Sequence, residues 1–183
     1  MSEDPIALIR SLRAVRRYDA RPIDPAAMER ILDAARWTGS AKNRQPWSVV
    51  VVERPVTLAA LADCGHYAGH LAGAPAAVAL VMDPASPAAL YDAGRLSQNI
   101  MLAAWAQGIG SCIAFLFPED NHDRARHLLG VPPDRDCWIV IALGYPEDDR
   151  ATRLERSPEV VSAEVTPGRI AADQFVHRER FAG

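Results

Sequence analysis

The chain has 183 residues, 49% hydrophobic and 23% charged, a composition that excludes a disordered protein and fits one folded domain. A chain of this length buries roughly 70% of its unfolded surface, so it needs neither a metal nor a disulfide to fold. Its formal net charge of −3 excludes a general nucleic-acid binder, whose affinity depends on clustered Lys and Arg that neutralise phosphates, and no apolar run approaches the length of a membrane span.

The opening MSEDPIALIR is acidic and carries no apolar signal-type stretch. Cys64, Cys112 and Cys137 are odd in number and contain no CxxC pair, which indicates neither a disulfide framework nor a zinc site. Together these features lead us to expect a cytoplasmic protein. Asp4-Pro5 reads as a helix cap with a first-turn proline, and Ile6, Ile9 and Leu12 follow at helical spacing to about Arg13. Asp24-Pro25 repeats this start, with Met28, Ile31, Leu32 and Ala35 marking one face and Gly39 as the stop.

The polar stretch SAKNRQP, residues 40–46, leads into Trp47 and four valines. Val49–Val52 reads as a strand covered on both faces. A second such strand is expected over Ala76–Met82, with a glycine-weakened helix over 57–73 between them. Ala88–Gln107 is long and apolar on more than one side, as expected of a helix covered by the rest of the domain or by a second subunit. Ser111–Phe117 reads as a third short strand or an extended turn, Pro118 opens a helix that ends at Leu129-Gly130, and Cys137–Leu143 is the fourth and most hydrophobic strand. After Gly144-Tyr145-Pro146 the chain turns highly charged. We therefore expect one domain over 1–183 in which 145–183 is a C-terminal extension lying on a partner subunit.

Several reaction classes lose their usual support, because the sequence contains no GxGxxG after a strand, no GxxxxGK[ST], no GxSxG and no HExxH. His66 and His70 stand four apart, a helical spacing for two metal ligands, but no third ligand is near and no metal is expected. Cys112 has the chemistry of a nucleophile only if a base lowers its pKa, and otherwise reads as a small buried thiol. In LRAVRRYD, Arg13 and Arg16 fall on one side of a turn. That pair forms either a solvated basic face or a fork for phosphate.

RAVRRYD (13–19), ILDAARWTGSAKNRQPWSVVVV (31–52), DAGRLSQNIMLAAWAQGIGSCIAF (92–115), ALGYPEDDR and FVHRERF, in this order, resemble the successive signatures of the nitroreductase family of flavin mononucleotide (FMN) enzymes. The resemblance implies an α+β sandwich with a mainly antiparallel central sheet flanked by helices, forming an intertwined homodimer with flavins at the subunit interface. It implies an FMN-dependent oxidoreductase that takes electrons from NADH or NADPH and reduces a small organic acceptor, a nitroaromatic or quinone, by a ping-pong cycle. The alternative is a protein that binds flavin, or consumes it with oxygen, without turning over nicotinamide.

Carried over by position, Arg13, Ala14, Arg16 and Arg156 correspond to the phosphate end of the cofactor. Ser40, Asn43 and Gln45 correspond to the loop at its ring edge and ribityl chain, and Ile113, Ala114 and Phe115 to the backbone that passes the ring. No residue is assigned as catalytic, since the flavin carries the redox chemistry. His66, Tyr67 and Phe117 are candidates for the acceptor pocket. The chain departs from the family pattern at Ala14, where a Ser is common, at Gly39, where a Pro is usual, and at Leu154, which is basic in some members. Arg17 or Arg153 could compensate at the phosphate. The basic residues at the phosphate do not reach the N1–C2 edge of the ring, so a donor there must be another group.

Overall fold

The structure is a computed structural model and describes residues 4–148 and 175–181. The chain divides into two compact units, Met1–Arg153 and Leu154–Gly183. In the second, the described residues form a bend with the His177 and Phe181 ring centroids 4.4 Å apart. Arg153, Leu154 and Arg156 lie outside the described residues.

Both Asp-Pro signals start helices. Asp4 accepts from the amide of Ile6 at the head of α1 (Pro5–Ser11), and Asp24 accepts from Ala26 at the head of α2 (Pro25–Arg36). Each carboxylate satisfies an amide that the first turn leaves unpaired, and each proline occupies a position whose missing N–H costs nothing. The central strands follow the expected pattern closely: β2 spans Ala76–Met82 and β4 spans Asp136–Gly144. β1 covers Trp47–Val52 and β3 Gly110–Phe115. The four form one wholly antiparallel sheet in the order β1-β2-β4-β3.

Alternation along β2 explains the layers. Val78 and Leu80 face a core shared with α2 and α4 (Ala89–Trp105), where Ile31, Leu96, Ile100 and Leu143 are fully buried. Ala77 and Ala79 face the opposite core, with Leu58 and Leu61 of α3 (Pro55–Ala62), Leu71, and Ala125 of α5 (Glu119–Leu129). Small residues on the second face let α3 and its following turn approach the sheet closely. Fold class is therefore as expected, a mixed α+β sandwich with helices on both sides of an antiparallel sheet.

Three expectations are corrected. β1 is an edge strand, and Ser48 and Val51 are exposed rather than covered. The helix expected over 57–73 is split: α3 starts two residues earlier at Pro55 and ends at Ala62, and a 3₁₀ turn follows at Gly69–Gly73. His66 and His70 therefore do not share a helical face, and among the described residues no cluster of three or more His, Cys, Asp or Glu is placed to hold a metal. β3 stops at Phe115, two residues short of the expected end, as the chain turns into Pro118 and α5.

Tyr145–Asp148 still belong to the first unit. Asp19 donates its amide to Tyr145 O, Glu147 donates to Arg17 O, and the Arg21 guanidinium sits 3.5 Å over the Tyr145 ring. Among the described residues no helix is long and apolar enough to cross a membrane. All three cysteines are free and buried, and burial pushes each thiol above its ordinary pKa.

His122 ties α5 to the sheet. Its Nε2 accepts from the amide of Cys137 at 3.0 Å, and its ring stacks on Trp138 with centroids 3.7 Å apart. Burial lowers its pKa below the ordinary imidazole value of 6.5, and the Arg126 charge acts the same way, while Asp136, Asp123 and Glu119 oppose both. An acceptor nitrogen must be unprotonated, so this contact contributes fully above the unfolded pKa and is lost as pH falls below it. In urea titrations the stability advantage of the wild type over His122→Gln should hold at pH 7 and shrink as the pH falls below the ordinary imidazole value of 6.5. An advantage independent of pH would show that the imidazole does not titrate on unfolding.

Candidate functional site

The predicted residues fall into two groups. The first is built where the chain leaves α1. Ser11 Oγ accepts from Trp105 Nε1 at 2.9 Å, which fixes the end of α1 to the end of α4. The next residues run beside β3: Ala14 pairs with Ser111, and Val15 donates its amide to Ser111 O at 2.9 Å. Gly110 permits this approach, since a Cβ there would come within 2.7 Å of Val15 Cβ. Arg13 Nη1 is held by the carbonyls of Arg10 and Leu12, both at 2.8 Å. Arg16 is exposed and stands beside the Cys112 thiol, whose pKa burial raises and the Arg16 charge partly lowers. The net shift is upward, so Cys112 is a buried thiol and not an activated nucleophile.

Arg17 takes no part in this cation group. Its guanidinium pairs with Glu147 and Asp148, each at 3.3 Å, so it is not a spare cation for the phosphate. Tyr18 turns its hydroxyl back to donate to Val15 O, and burial holds its pKa far above the usual phenol range.

β3 carries the predicted backbone residues. Leu116 donates its amide to Trp138 O, whereas Ser111 O faces outward to Val15. With the alternation of an antiparallel ladder, Ile113 and Phe115 turn their amides to the outer edge and Ala114 turns its own toward β4. Beyond Val15, the N–H of Ile113 meets no backbone acceptor among the described residues. Ala114 is buried and the Phe115 side chain is exposed.

The second group is the loop between α2 and β1. Ser40 Oγ accepts from the amide of Gln45 at 2.8 Å, and Gln45 Nε2 donates to Asn43 Oδ1 at 3.1 Å. Lys42, Asn43 and Gln45 have φ of 55°, 53° and 47°. Left-handed backbone at three non-glycine residues costs of order 1 kcal/mol each. α4 reaches the start of the loop at two places. Asn99 Nδ2 donates to Thr38 Oγ1 at 2.8 Å, and Arg95 Nη2 lies 2.8 Å from where a Cβ on Gly39 would stand. Trp37, just before the loop, is 76% exposed.

The two groups do not meet within one chain. Trp47, at the loop, pairs with Met82 at one end of β2, whereas Ser111 pairs through Leu143 with Ala76 at the other end. β1 and β3 are opposite edges of the sheet. From strand spacing and rise, the separation is roughly 14 Å across and roughly 20 Å along the sheet. A cleft of ≈ 490 Å³ lined by Gln45, Trp47, Val50, Val81, Gly130 and Arg135 contains only Gln45 of the predicted residues. A second, of ≈ 440 Å³ beside Leu80, Leu90 and Trp138, contains none.

Sequence reasoning missed Arg95 and the strained backbone. Arg95 and Asp92 are the only charged residues in α4, and a charge in so apolar a helix was the available signal. The left-handed conformations have no signal in Lys or Gln, which enter that region rarely.

The family model for the nitroreductase family matches residues 9–64 and 62–145. A protein of Archaeoglobus fulgidus, provisionally named NADH dehydrogenase/NAD(P)H nitroreductase, is 33% identical over 154 residues, covering 81% of this chain and 88% of its own. The fold is shared with a Bacteroides thetaiotaomicron protein bearing the same provisional name (TM-score 0.82, 23% identity, 99% of this chain and 100% of that one). It is shared also with the NADPH:FMN oxidoreductase of Vibrio harveyi solved with NAD+ (TM-score 0.77, 22% identity, 97% of this chain and 78% of that one). A model match over most of the chain, a relative above 30% identity and an observed fold of the expected class agree: the chain belongs to the nitroreductase family.

Proposed function

We propose that the protein is an FMN-dependent oxidoreductase that takes electrons from NADH or NADPH and reduces a small organic acceptor of the nitroaromatic or quinone class, at a site completed by two copies of the chain. The observation that carries this reading is the placement of the two polar groups at opposite corners of one sheet. A two-fold axis brings different surfaces of two identical subunits together reciprocally. Arg13 and Arg16 of one copy would then face the Ser40–Gln45 loop of the other, twice per dimer. Exposed Ile6, Ile9, Leu90, Tyr91 and Phe115 supply apolar surface for such an interface. Tyr145–Asp148 are held by their own chain, and the extension beyond them, with Arg156, is proposed to lie on the partner.

The residues present fit an FMN in kind. Arg guanidinium groups match phosphate oxygens in geometry and charge, with Ala14 offering only backbone. Asn43 and Gln45 carry amide donors and acceptors for the polar edge of a flavin and its ribityl hydroxyls, and the outward N–H of Ile113 is a donor for a ring nitrogen. When bound, FMN supplies hydride acceptance from a nicotinamide and electron delivery to the acceptor. The protein's part is to hold and orient: the Ser40–Gln45 hydrogen bond fixes the loop before any ligand arrives, so no ordering cost falls at binding. Nicotinamide and acceptor would use the same exposed side in turn, a ping-pong cycle. No side chain here is poised as an acid or base, and water can supply protons to the acceptor. Tyr67, 90% exposed, and Phe117, 61% exposed, with His66, remain the candidates on the acceptor side.

The protein should bind FMN, turn yellow, and bleach anaerobically on addition of NADH or NADPH. Colour that persists under both donors would favour a flavin-binding or flavin-consuming protein, and no uptake of FMN would sink both readings. Arg16→Ala and Asn43→Ala should each weaken FMN retention on a desalting column. Mixed and refolded together, the two variants should regain tight sites, up to one per mixed dimer, because one interface then carries both intact halves. No recovery on mixing would place both halves in one subunit.

A further inference from the structure

Arg95 sits at the mouth of the Ser40–Gln45 loop for reasons that are all visible in this chain. Its carboxylate neighbour Asp92 is 2% exposed, with Oδ1 3.9 Å from Arg95 Nη1 one helical turn away. The Tyr91 ring lies 5.6 Å from the guanidinium carbon. On the other side Nη2 occupies the space that any side chain at residue 39 would fill. Asn99, one further turn along α4, joins the helix to Thr38, so the guanidinium and the loop are held to the same support. The Arg95 side chain remains 43% exposed, which leaves it a face for a ligand. Gly39 leaves the guanidinium this position, and a side chain there would have to shift the end of the Arg95 side chain.

We propose that Arg95 is a further residue of the flavin site, contributed with the Ser40–Gln45 loop, and that it places a positive charge beside the isoalloxazine to stabilise the negative charge the ring gains on accepting a hydride. The inference rests on the FMN reading above. The phosphate end is assigned to Arg13 and Arg16, which stand at the far corner of the fold, so a cation braced against the loop lies toward the ring end. Hydride transfer brings two electrons and one proton to a neutral ring and leaves it one unit negative, and a preplaced guanidinium favours that state without reorganising. The role is to tune the cofactor, and no proton is moved.

The test is the midpoint potential of bound FMN, measured anaerobically by dye equilibration in the FMN-loaded wild type, Arg95→Ala, Arg95→Lys and Gly39→Ala. In Arg95→Ala the preference for reduced over oxidised FMN should fall about tenfold, a potential lower by about 30 mV for a two-electron couple. Arg95→Lys should recover part of this. Gly39→Ala should shift the potential the same way by a smaller amount with no charge removed, since a methyl 2.8 Å from Nη2 pushes the guanidinium aside. The ratio of FMN to riboflavin affinity should stay at its wild-type value throughout. An unchanged potential in Arg95→Ala overturns the proposal, as does loss of the preference for FMN over riboflavin at constant potential, which would move Arg95 to the phosphate. Failure of the wild type itself to take up FMN would remove the FMN reading and this inference with it, an outcome distinct from both.

Discussion

The pairing of β2 with β4 is the contact on which the remaining structure depends. Both strands are apolar on both faces, and they join over Ala76–Leu80 to Ile139–Leu143 before a register shift near Met82. Two strands buried on both sides need a layer of helices above and below, so α2 and α4 must lie on one face and α3 and α5 on the other. They also push the less apolar strands to the margins. β1 and β3 become edges, and every polar segment leading into or lying along those edges is delivered to the rim of the sandwich.

That arrangement separates the two polar groups and sets them at opposite corners of the sheet. The segment after α1 is drawn to β3 by the Val15–Ser111 hydrogen bond and the missing side chain at Gly110, while the loop after α2 is drawn to β1. α4 touches both, through Trp105 at one end and through Asn99 and Arg95 nearer the other. The long apolar helix is therefore more than core. It sets the spacing between the two corners, which a second copy would have to match under the proposed two-subunit site.

Much of this was legible in residue order. The Asp-Pro caps announce α1 and α2, and an unbroken apolar run between Pro75 and Asp83 defines β2 to the residue. What could not be read is pairing order. Four valines look alike in an edge strand and in a covered one, because coverage is decided by partners distant in sequence, and β1 proved to be an edge. The glycine-rich stretch after α3 offered helical spacing for His66 and His70, but Gly65 and Gly69 cost too much helix stability for the spacing to be realised. Candidate site residues were named through resemblance, residue by residue, yet their division between two corners follows only from the strand order. The proximity of Arg95 to Gly39 was hidden because the two stand 56 residues apart in the sequence.

The buried thiols acquire a meaning once the chemistry is considered. A reduced flavin that meets oxygen releases peroxide, and peroxide attacks sulfur in proportion to its exposure and thiolate character. Cys64, Cys112 and Cys137 are at most 4% exposed, and burial holds each of them protonated. The fold thus withholds all three thiols from an oxidant of this kind. Under the proposed flavin reading, the sulfur would stay reduced while the electron donor is present and the acceptor absent.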